Sequence, residues 1–193
     1  MATIAELVAL NRSCRRFDGN KKISLEEITQ LVDLARLSAS AANLQPLKYM
    51  VSTSVEMNAK IFPCLKWAGY LRDWDGPFEN ERPTAYVVVL HDTRVAGDAG
   101  CDHGIAAQSI LLGAVEKGLA GCMIAAVDRK NLGDIVDLPD HMKVLLVIAL
   151  GYPVEERKVV TLTEETGVKY FRDDKGIHYV PKRSLDEVLL KTW

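Results

Sequence analysis

Three short apolar runs constrain the fold of this chain more than any other feature of its sequence: residues 85–91, 121–127 and 144–150. The first is rich in β-branched residues, which is typical of a strand covered on both faces of a sheet. The longest uninterrupted apolar run, 144–150, falls far short of the roughly 20 residues that span a bilayer. The sequence therefore predicts a sheet buried among other elements and no membrane segment.

Helices are predicted around these strands. Thr3, Ser24 and Ser184 each precede a Glu three residues later, the pattern of a capping box at a helix start. The segment 98–117 is a further helix, and its many Gly and Ala residues indicate that a second backbone approaches it, within the core or across a subunit interface. Because the elements lack a strict βαβ repeat, we expect an α+β fold, a mixed β-sheet with helices on both faces. The first helix is predicted to run into Arg12, and the other predicted elements are strands at 48–53, 169–172 and 177–180 and helices at 54–62 and 129–136.

Length and charge favour one domain without a nucleic-acid partner. The chain has 193 residues, 48% of them hydrophobic, and its 24 Lys and Arg against 26 Asp and Glu give a net charge of −2. This length suits a single core, so we expect one domain over residues 1–193. Interspersed charges with a slightly acidic sum give no positive field to attract nucleic acid. Residues 1–12 lack the order of a signal peptide, which predicts a cytoplasmic protein.

Possible metal ligands are scattered along the chain. The four cysteines form no C-x-x-C pair, so their spacing favours buried small hydrophobes over zinc ligands or disulfides. Carboxylates near a helix start, Asp98 and Asp102, have a capping explanation, and His103 is interpreted as a packed or surface residue. We therefore expect no metal.

A cationic cluster is the clearest chemical signal. Residues 11–17 read Asn-Arg-Ser-Cys-Arg-Arg-Phe, and the Arg side chains and the Ser13 hydroxyl are donors suited to phosphate. Lys182 and Arg183, before the last helix, form a second basic pair that folding could bring beside the first. Both have an ordinary alternative, a basic turn at a helix C-terminus and plain surface charge. The common dinucleotide, triphosphate, esterase and zinc-protease motifs are absent.

Several segments, in the right order, resemble the FMN-dependent nitroreductase family. Residues 12–17 are similar to the family's R-R-S-x-R-x-F opening, and residues 38–46 to its S-P-S-x-x-N-x-Q-P-W signature. Three further segments are similar: the central helix at 102–109, the flavin-side segment at 118–124 and the L-G-Y-P strand end at 150–153. The resemblance covers nearly the whole chain. It implies an FMN-binding, intertwined homodimer of nitroreductase-like fold, with two active sites at the subunit interface and the small-residue helix in that interface.

The resemblance also implies roles for individual residues. The FMN phosphate would be held by Arg12, Ser13, Lys182 and Arg183. Arg15 would face the N1/O2 edge of the flavin, where negative charge accumulates on reduction. Ser40, Asn43 and Gln45 would come from the partner subunit and hydrogen-bond the flavin or its ribityl chain. Met123 would pack on the ring, and the main chain at Ala125 and Ala126 would offer an N–H near N5. No protein residue is expected to be catalytic in itself, because flavin N5 carries the chemistry.

The chain departs from the family pattern at three positions. Asn11 stands where the family often has Arg, which removes one phosphate contact, and Ala39 and Leu47 replace the usual Pro and Trp. The polar residues at 40, 43 and 45 also have an ordinary interpretation as caps in the loop after a helix. Acceptor specificity is therefore not inherited from the family.

The implied activity is oxidation of NAD(P)H and reduction of an organic acceptor, such as a nitroaromatic compound or a quinone, at the same flavin face in a ping-pong mechanism. Two alternatives are a non-catalytic flavin-binding or flavin-delivering protein and a dimeric interaction module without a cofactor. Trp67 and Trp74 lie in a segment, 66–83, that is rich in Gly and Pro. They would stack on a substrate or the flavin, or anchor a core or lid.

Overall fold

A four-stranded antiparallel sheet forms the centre of the molecule in the computed structural model, which describes residues 2–71 and 73–193. Its strand order is β1–β2–β4–β3. All eight residues of β2 are buried, and Val88 of β2 lies opposite Val147 of β4. The prediction of a strand covered on both faces is confirmed. The strand bounds are Leu47–Ser52 for β1, Ala85–Asp92 for β2, Ala120–Ile124 for β3 and Met142–Gly151 for β4.

Helices cover both faces of this sheet, as the apolar patterns predict. On one face, Leu31 of α2 and Ile110 of α4 pack with the side chains of β2 and β4 that point toward them. On the other face, Ile61 of α3 and Leu132 of α5 pack with the alternate side chains of the same strands. The helix bounds are Ile4–Leu10 for α1, Leu25–Arg36 for α2, Val55–Ile61 for α3, Asp102–Glu116 for α4, Arg129–Ile135 for α5 and Leu185–Val188 for α6.

A second, three-stranded sheet lies near the C-terminal end of the sequence. It consists of β5 (Arg157–Thr161), β6 (Phe171–Arg172) and β7 (His178–Lys182), in the order β5–β7–β6. Parallel pairing occurs here between β5 and β7, whereas the central sheet is antiparallel in all its pairings. The expectation of a mixed sheet is therefore met by this small sheet and not by the central one. The sequence missed β5 because its residues are half-exposed or exposed and carry no apolar alternation.

Several predicted boundaries shift. The first helix ends at Leu10 instead of Arg12, because the Arg12 guanidinium turns back and donates to the Val8 carbonyl. The helix predicted from 98 begins at Asp102, after a turn in which Gly100 adopts a φ of 49°. The strand predicted to reach Val127 ends at Ile124, and Val127 pairs instead with Leu65 in an isolated bridge.

The small residues of α4 are shared between the core and the surface. Ala107 and Ala114 are fully buried, and a Cβ at Gly113 would overlap the Leu34 side chain of α2. Much of the close approach predicted for this helix is therefore made inside one chain, which corrects the expectation that its small residues serve mainly a dimer interface. Gly104, by contrast, is exposed, with open space where a Cβ would stand.

The part of the chain that the structure describes shows neither a membrane-spanning helix nor a metal cluster. No helix there has the length and apolar character to cross a membrane. The same residues contain no group of three or more His, Cys, Asp or Glu side chains placed to hold a metal ion. The cysteines are free, and Cys14, Cys64 and Cys122 are buried, as expected of small hydrophobes.

Candidate functional site

The N-terminal cationic segment, α4, β3 and the small sheet enclose a cleft of about 280 Å³. Five predicted residues line it: Arg12, Ser13, Arg15, Met123 and Lys182. Three of the five are cations, and Lys182 comes from a part of the sequence far from Arg12 and Arg15. The cleft is also lined by Asn11, Gln108, Leu111, Tyr170, His178 and Val180.

The segment after α1 is held by main-chain hydrogen bonds that aim alternate side chains at the cleft. The Cys14 N–H donates to the Gly121 carbonyl of β3 at 2.9 Å, and the Cys14 side chain packs with Phe17 and Ala120 in a small core. Burial raises the pKa of the Cys14 thiol to about 12, so it stays protonated and behaves as an apolar group. Ser13 and Arg15, on either side of Cys14, line the cleft instead.

Arg15 is the buried cation of the cleft. Its residue is 8% exposed, and its guanidinium lies 4.6 Å from the centre of the Tyr170 ring. Its Nη1 lies 3.3 Å from His178 Nε2. The Arg15 main-chain N–H donates to Glu155 Oε1, so the carboxylate fixes the backbone of Arg15 and not its guanidinium.

Arg12 has two roles in the structure. Its Nη2 donates to the Val8 carbonyl at 2.7 Å, which satisfies a carbonyl near the C-terminus of α1. The ordinary interpretation of a basic turn at a helix end therefore describes Arg12, which also lines the cleft. Beside it, the Asn11 side-chain amide donates to Gln108 Oε1 of α4 at 3.3 Å, so Asn11 links this segment to the helix.

Lys182 and Arg183 separate in space although they are neighbours in sequence. Lys182 ends β7 and lines the cleft. The Arg183 guanidinium does not line it but pairs with Glu187 Oε1 at 3.1 Å on the exposed side of α6. The structure therefore brings one member of this basic pair to the cationic segment.

Ala125 and Ala126 also lie outside the cleft lining. Both residues are exposed and follow the last residue of β3. Their carbonyls are used within the chain, Ala125 as acceptor from Arg129 and Ala126 as acceptor from the Lys66 N–H.

Ser40 and Gln45 line a different cavity, an apolar groove of about 330 Å³ between α2, β1 and the start of α4. The Ser40 hydroxyl donates to Asp102 at 2.6 Å and accepts from the Gln45 N–H at 2.9 Å. Asn43 and Gln45 have φ values of 55° and 54°, so this loop is held in a left-handed conformation around the buried Asp102 carboxylate. Ala106 of α4 lines the groove and Gln108 lines the cleft. Because helix positions two residues apart point in different directions, the groove and the cleft lie on different faces of α4.

Sequence reasoning missed Gln108, Leu111, Tyr170, His178 and Val180. Gln108 and Leu111 lie three residues apart on α4 and share one face of it, a spacing visible in the sequence. Tyr170 and His178 reach the cleft through the pairing of the small sheet, which carried no comparable signal. Trp74 lies nearby, stacked on the Arg172 guanidinium at 4.4 Å.

The donor set of the cleft suits a ligand with an apolar ring and an anionic group. Residues with three cations, two hydroxyls and two side-chain amides line it, and none of its described lining residues is Asp or Glu. Leu111, Met123, Val180 and the Tyr170 ring supply apolar surface. Cofactor sites combine apolar surface with precisely placed polar groups, and the cleft supplies both.

Comparison with known proteins places this arrangement in a family context. The family model described as the Nitroreductase family matches residues 10–70 and 81–152. A relative from Methanothermobacter thermautotrophicus, provisionally named NADH dehydrogenase/NAD(P)H nitroreductase, is 27% identical over 158 residues, which cover 79% of this chain and 78% of the relative. An oxygen-insensitive NADPH nitroreductase from Helicobacter acinonychis is 23% identical, over 78% of this chain and 88% of the relative.

A solved structure shows the same fold. The FMN-dependent nitroreductase of Clostridium difficile R20291 superposes with a TM-score of 0.68 at 22% identity, and the match covers 84% of this chain and 94% of that one. The residues that match the family model, 10–70 and 81–152, contain all four strands of the central sheet.

Proposed function

The chain belongs to the nitroreductase family, and from that membership we propose that it is an FMN-dependent oxidoreductase that takes electrons from NAD(P)H and passes them to an organic acceptor. The observation that carries the proposal is the cleft, where Arg12, Arg15 and Lys182 converge beside apolar surface and no described carboxylate lines the wall. FMN combines a dianionic phosphate with a flat, largely apolar ring, so its chemistry fits this donor set. Bound FMN would accept hydride from NAD(P)H and then reduce the acceptor, a nitroaromatic compound, a quinone or a similar molecule, in a ping-pong cycle.

Different residues of the cleft would contact different parts of FMN. Arg12, Ser13 and Lys182 would hold the phosphate by charge-assisted hydrogen bonds. Arg15 would hold the flavin ring edge and favour negative charge there, because a buried cation acts more strongly than one in water. Met123 would contact the ring. Beyond β3, the Ala125 carbonyl accepts from Arg129 and the Ala126 carbonyl accepts from the Lys66 N–H, and these bonds hold the main chain. The proposed N–H contact to flavin N5 would come from this segment.

A homodimer would complete the site. The groove that holds Ser40 and Gln45 lies on another face of α4 from the cleft, so these residues and Asn43 would serve the cleft of a partner subunit. Exposed apolar side chains support such a partner, since Ile4 on α1 is 70% exposed and Leu190 beyond α6 is 92% exposed. Ser40 would contribute its remaining lone pair, because its proton and one lone pair are already used within the chain.

The competing function is a flavin-binding or flavin-delivering protein without turnover. It would use the same phosphate and ring contacts, so binding alone does not distinguish the two. What separates them is reduction by the nicotinamide.

The test is an absorbance spectrum of the purified protein, recorded anaerobically before and after NADH or NADPH is added. We expect a flavin spectrum that bleaches after NADH or NADPH is mixed in and that returns when an acceptor is added. A flavin spectrum that persists would support the non-catalytic alternative. A colourless protein that does not take up added FMN would refute both.

A further inference from the structure

The buried guanidinium of Arg15 lacks the partner that a buried cation usually has. A charge taken out of water is normally paired with an opposite charge. Among the described residues, no carboxylate forms a salt bridge with the Arg15 side chain; its ring-nitrogen neighbour is His178 Nε2, 3.3 Å from Nη1. The cation is therefore held by a neutral group.

The nearest carboxylate is occupied elsewhere. The Glu155 side chain is fully buried, with Oε1 accepting from the Arg15 main chain and Oε2 from Arg172 Nη2 at 2.8 Å. Arg172 thus takes the ion pair that Arg15 does not have. In the described part of the chain, the Arg15 guanidinium at the wall of the cleft therefore has no ion-pair partner.

His178 is fixed from two sides. Its main-chain N–H donates to the Glu156 carbonyl at 2.9 Å, and its ring lies 5.3 Å from the Tyr170 ring, which also contacts the Arg15 guanidinium. The residue is 1% exposed. The imidazole therefore has a set position from which to hold Arg15.

The protonation state of His178 follows from its surroundings. Arg has only donors, so Nε2 must be the unprotonated acceptor. Burial, together with the charges of Arg15, Arg172 and Arg157, lowers the pKa of His178 to about 4, although the charge of Glu155 acts to raise it. Arg157 and Arg172 lie on the strands on either side of His178, each in register with it, and Arg15 approaches from the N-terminal cationic segment.

We propose that His178 is a positioning residue, an uncharged acceptor that orients the Arg15 guanidinium toward the cleft while leaving its positive charge available to an anionic ligand. The proposal rests on the proposed function only for the identity of that ligand, the flavin. A carboxylate at position 178 would hold Arg15 as firmly but would cancel its charge. An aliphatic residue would leave the charge but not the orientation.

The contact is tested first in flavin-free protein, by ¹⁵N NMR of the histidine rings, with the His178 signals assigned from their loss in His178→Gln. We expect the neutral Nδ1–H form at pH 7. In Arg15→Met, loss of the donor and of a neighbouring cation should raise the midpoint of the His178 titration by about one pH unit. A charged ring at pH 7, a proton on Nε2, or an unchanged midpoint in Arg15→Met would overturn the proposal.

The consequence for the ligand is tested with three variants and two flavins. His178→Gln keeps a neutral acceptor and should bind FMN and riboflavin within about threefold of wild type. His178→Leu should weaken both equally, by about tenfold, and His178→Glu should weaken both more and lower the flavin midpoint potential. His141→Leu, outside the cleft lining, serves as the control for replacing a histidine.

Two outcomes of these measurements contradict the proposal: His178→Glu binding flavin as tightly as wild type, or His178→Gln losing as much affinity as His178→Leu. Thermal unfolding of each variant shows whether the fold is intact. Failure of the proposed function is distinguishable, because a wild-type protein that binds no flavin leaves the NMR test of the contact unaffected.

Discussion

Lys182 provides the sharpest test of the proposed phosphate-binding end of the cleft. Its side chain lines the cleft, while its main chain is held by pairing with Thr161 and by the Leu162 N–H, which donates to its carbonyl at 2.8 Å. Lys182→Ala should therefore remove the ammonium group without disturbing β7. The affinity for FMN should fall and the affinity for riboflavin should stay within about twofold, because only FMN carries the phosphate.

The size of the loss follows from the type of contact. A hydrogen bond to a charged group contributes about 1.5–3 kcal/mol. Since each 1.36 kcal/mol is tenfold, the dissociation constant of FMN should rise about 10- to 150-fold. Lys182 is exposed, so the loss should shrink at 1 M salt, where the screening length is about 3 Å.

Flavin fluorescence titrations of apoprotein measure both ligands. Lys158→Ala is the matched control, because Lys158 lies on β5 of the same sheet and pairs with Glu156 at 2.9 Å away from the cleft. Arg183→Ala is the discriminating variant: its exposed pair with Glu187 predicts a change of about twofold or less. An equal loss of FMN and riboflavin in Lys182→Ala, or a loss in Arg183→Ala as large as in Lys182→Ala, would refute the reasoning.

Three further predictions concern packing, assembly and pH. Gly121→Ala should lower the free energy of unfolding, measured by urea denaturation, by about 1–3 kcal/mol, because the added Cβ would lie 2.6 Å from the Ala149 carbonyl oxygen. Gly69→Ala, with open space around it, should leave that free energy unchanged. Gly104→Leu should be a folded monomer in sedimentation equilibrium, because position 104 is open in one chain and would be crowded only by a partner. Ala107→Leu, at a fully buried position, should not fold and should show no cooperative thermal transition by circular dichroism. If Gly104→Leu is a dimer, this face of α4 is not in the interface. Finally, His178 binds a proton more weakly in the folded chain, so the free energy of unfolding should fall as the pH drops from about 6.5 toward 4, and His178→Gln should lose that part of the pH dependence.

The sequence by itself determined the elements whose signals are local. The capping boxes at Thr3, Ser24 and Ser184 form as predicted, because each involves a side chain and a main-chain group three residues apart. The buried strand at 85–91 was equally clear, since a strand covered on both faces has apolar residues at every position. The cationic segment after α1 was visible for the same reason, as its charges are adjacent in the chain.

The tertiary structure decided what these elements face. Arg12, Arg15 and Lys182 meet because β7 pairs within the small sheet, and the half-exposed β5 that completes the sheet has no apolar alternation to reveal it. Lys182 and Arg183 look equivalent in the sequence, yet Lys182 ends β7 and lines the cleft, whereas Arg183 lies beyond the strand and pairs with Glu187 of α6. Nothing in the sequence distinguishes His178, and it contacts Arg15 only because folding brings together two residues that are 163 positions apart. Local propensity is encoded in neighbouring residues, whereas the charge and hydrogen-bond partner of a cleft residue depend on contacts between distant parts of the chain.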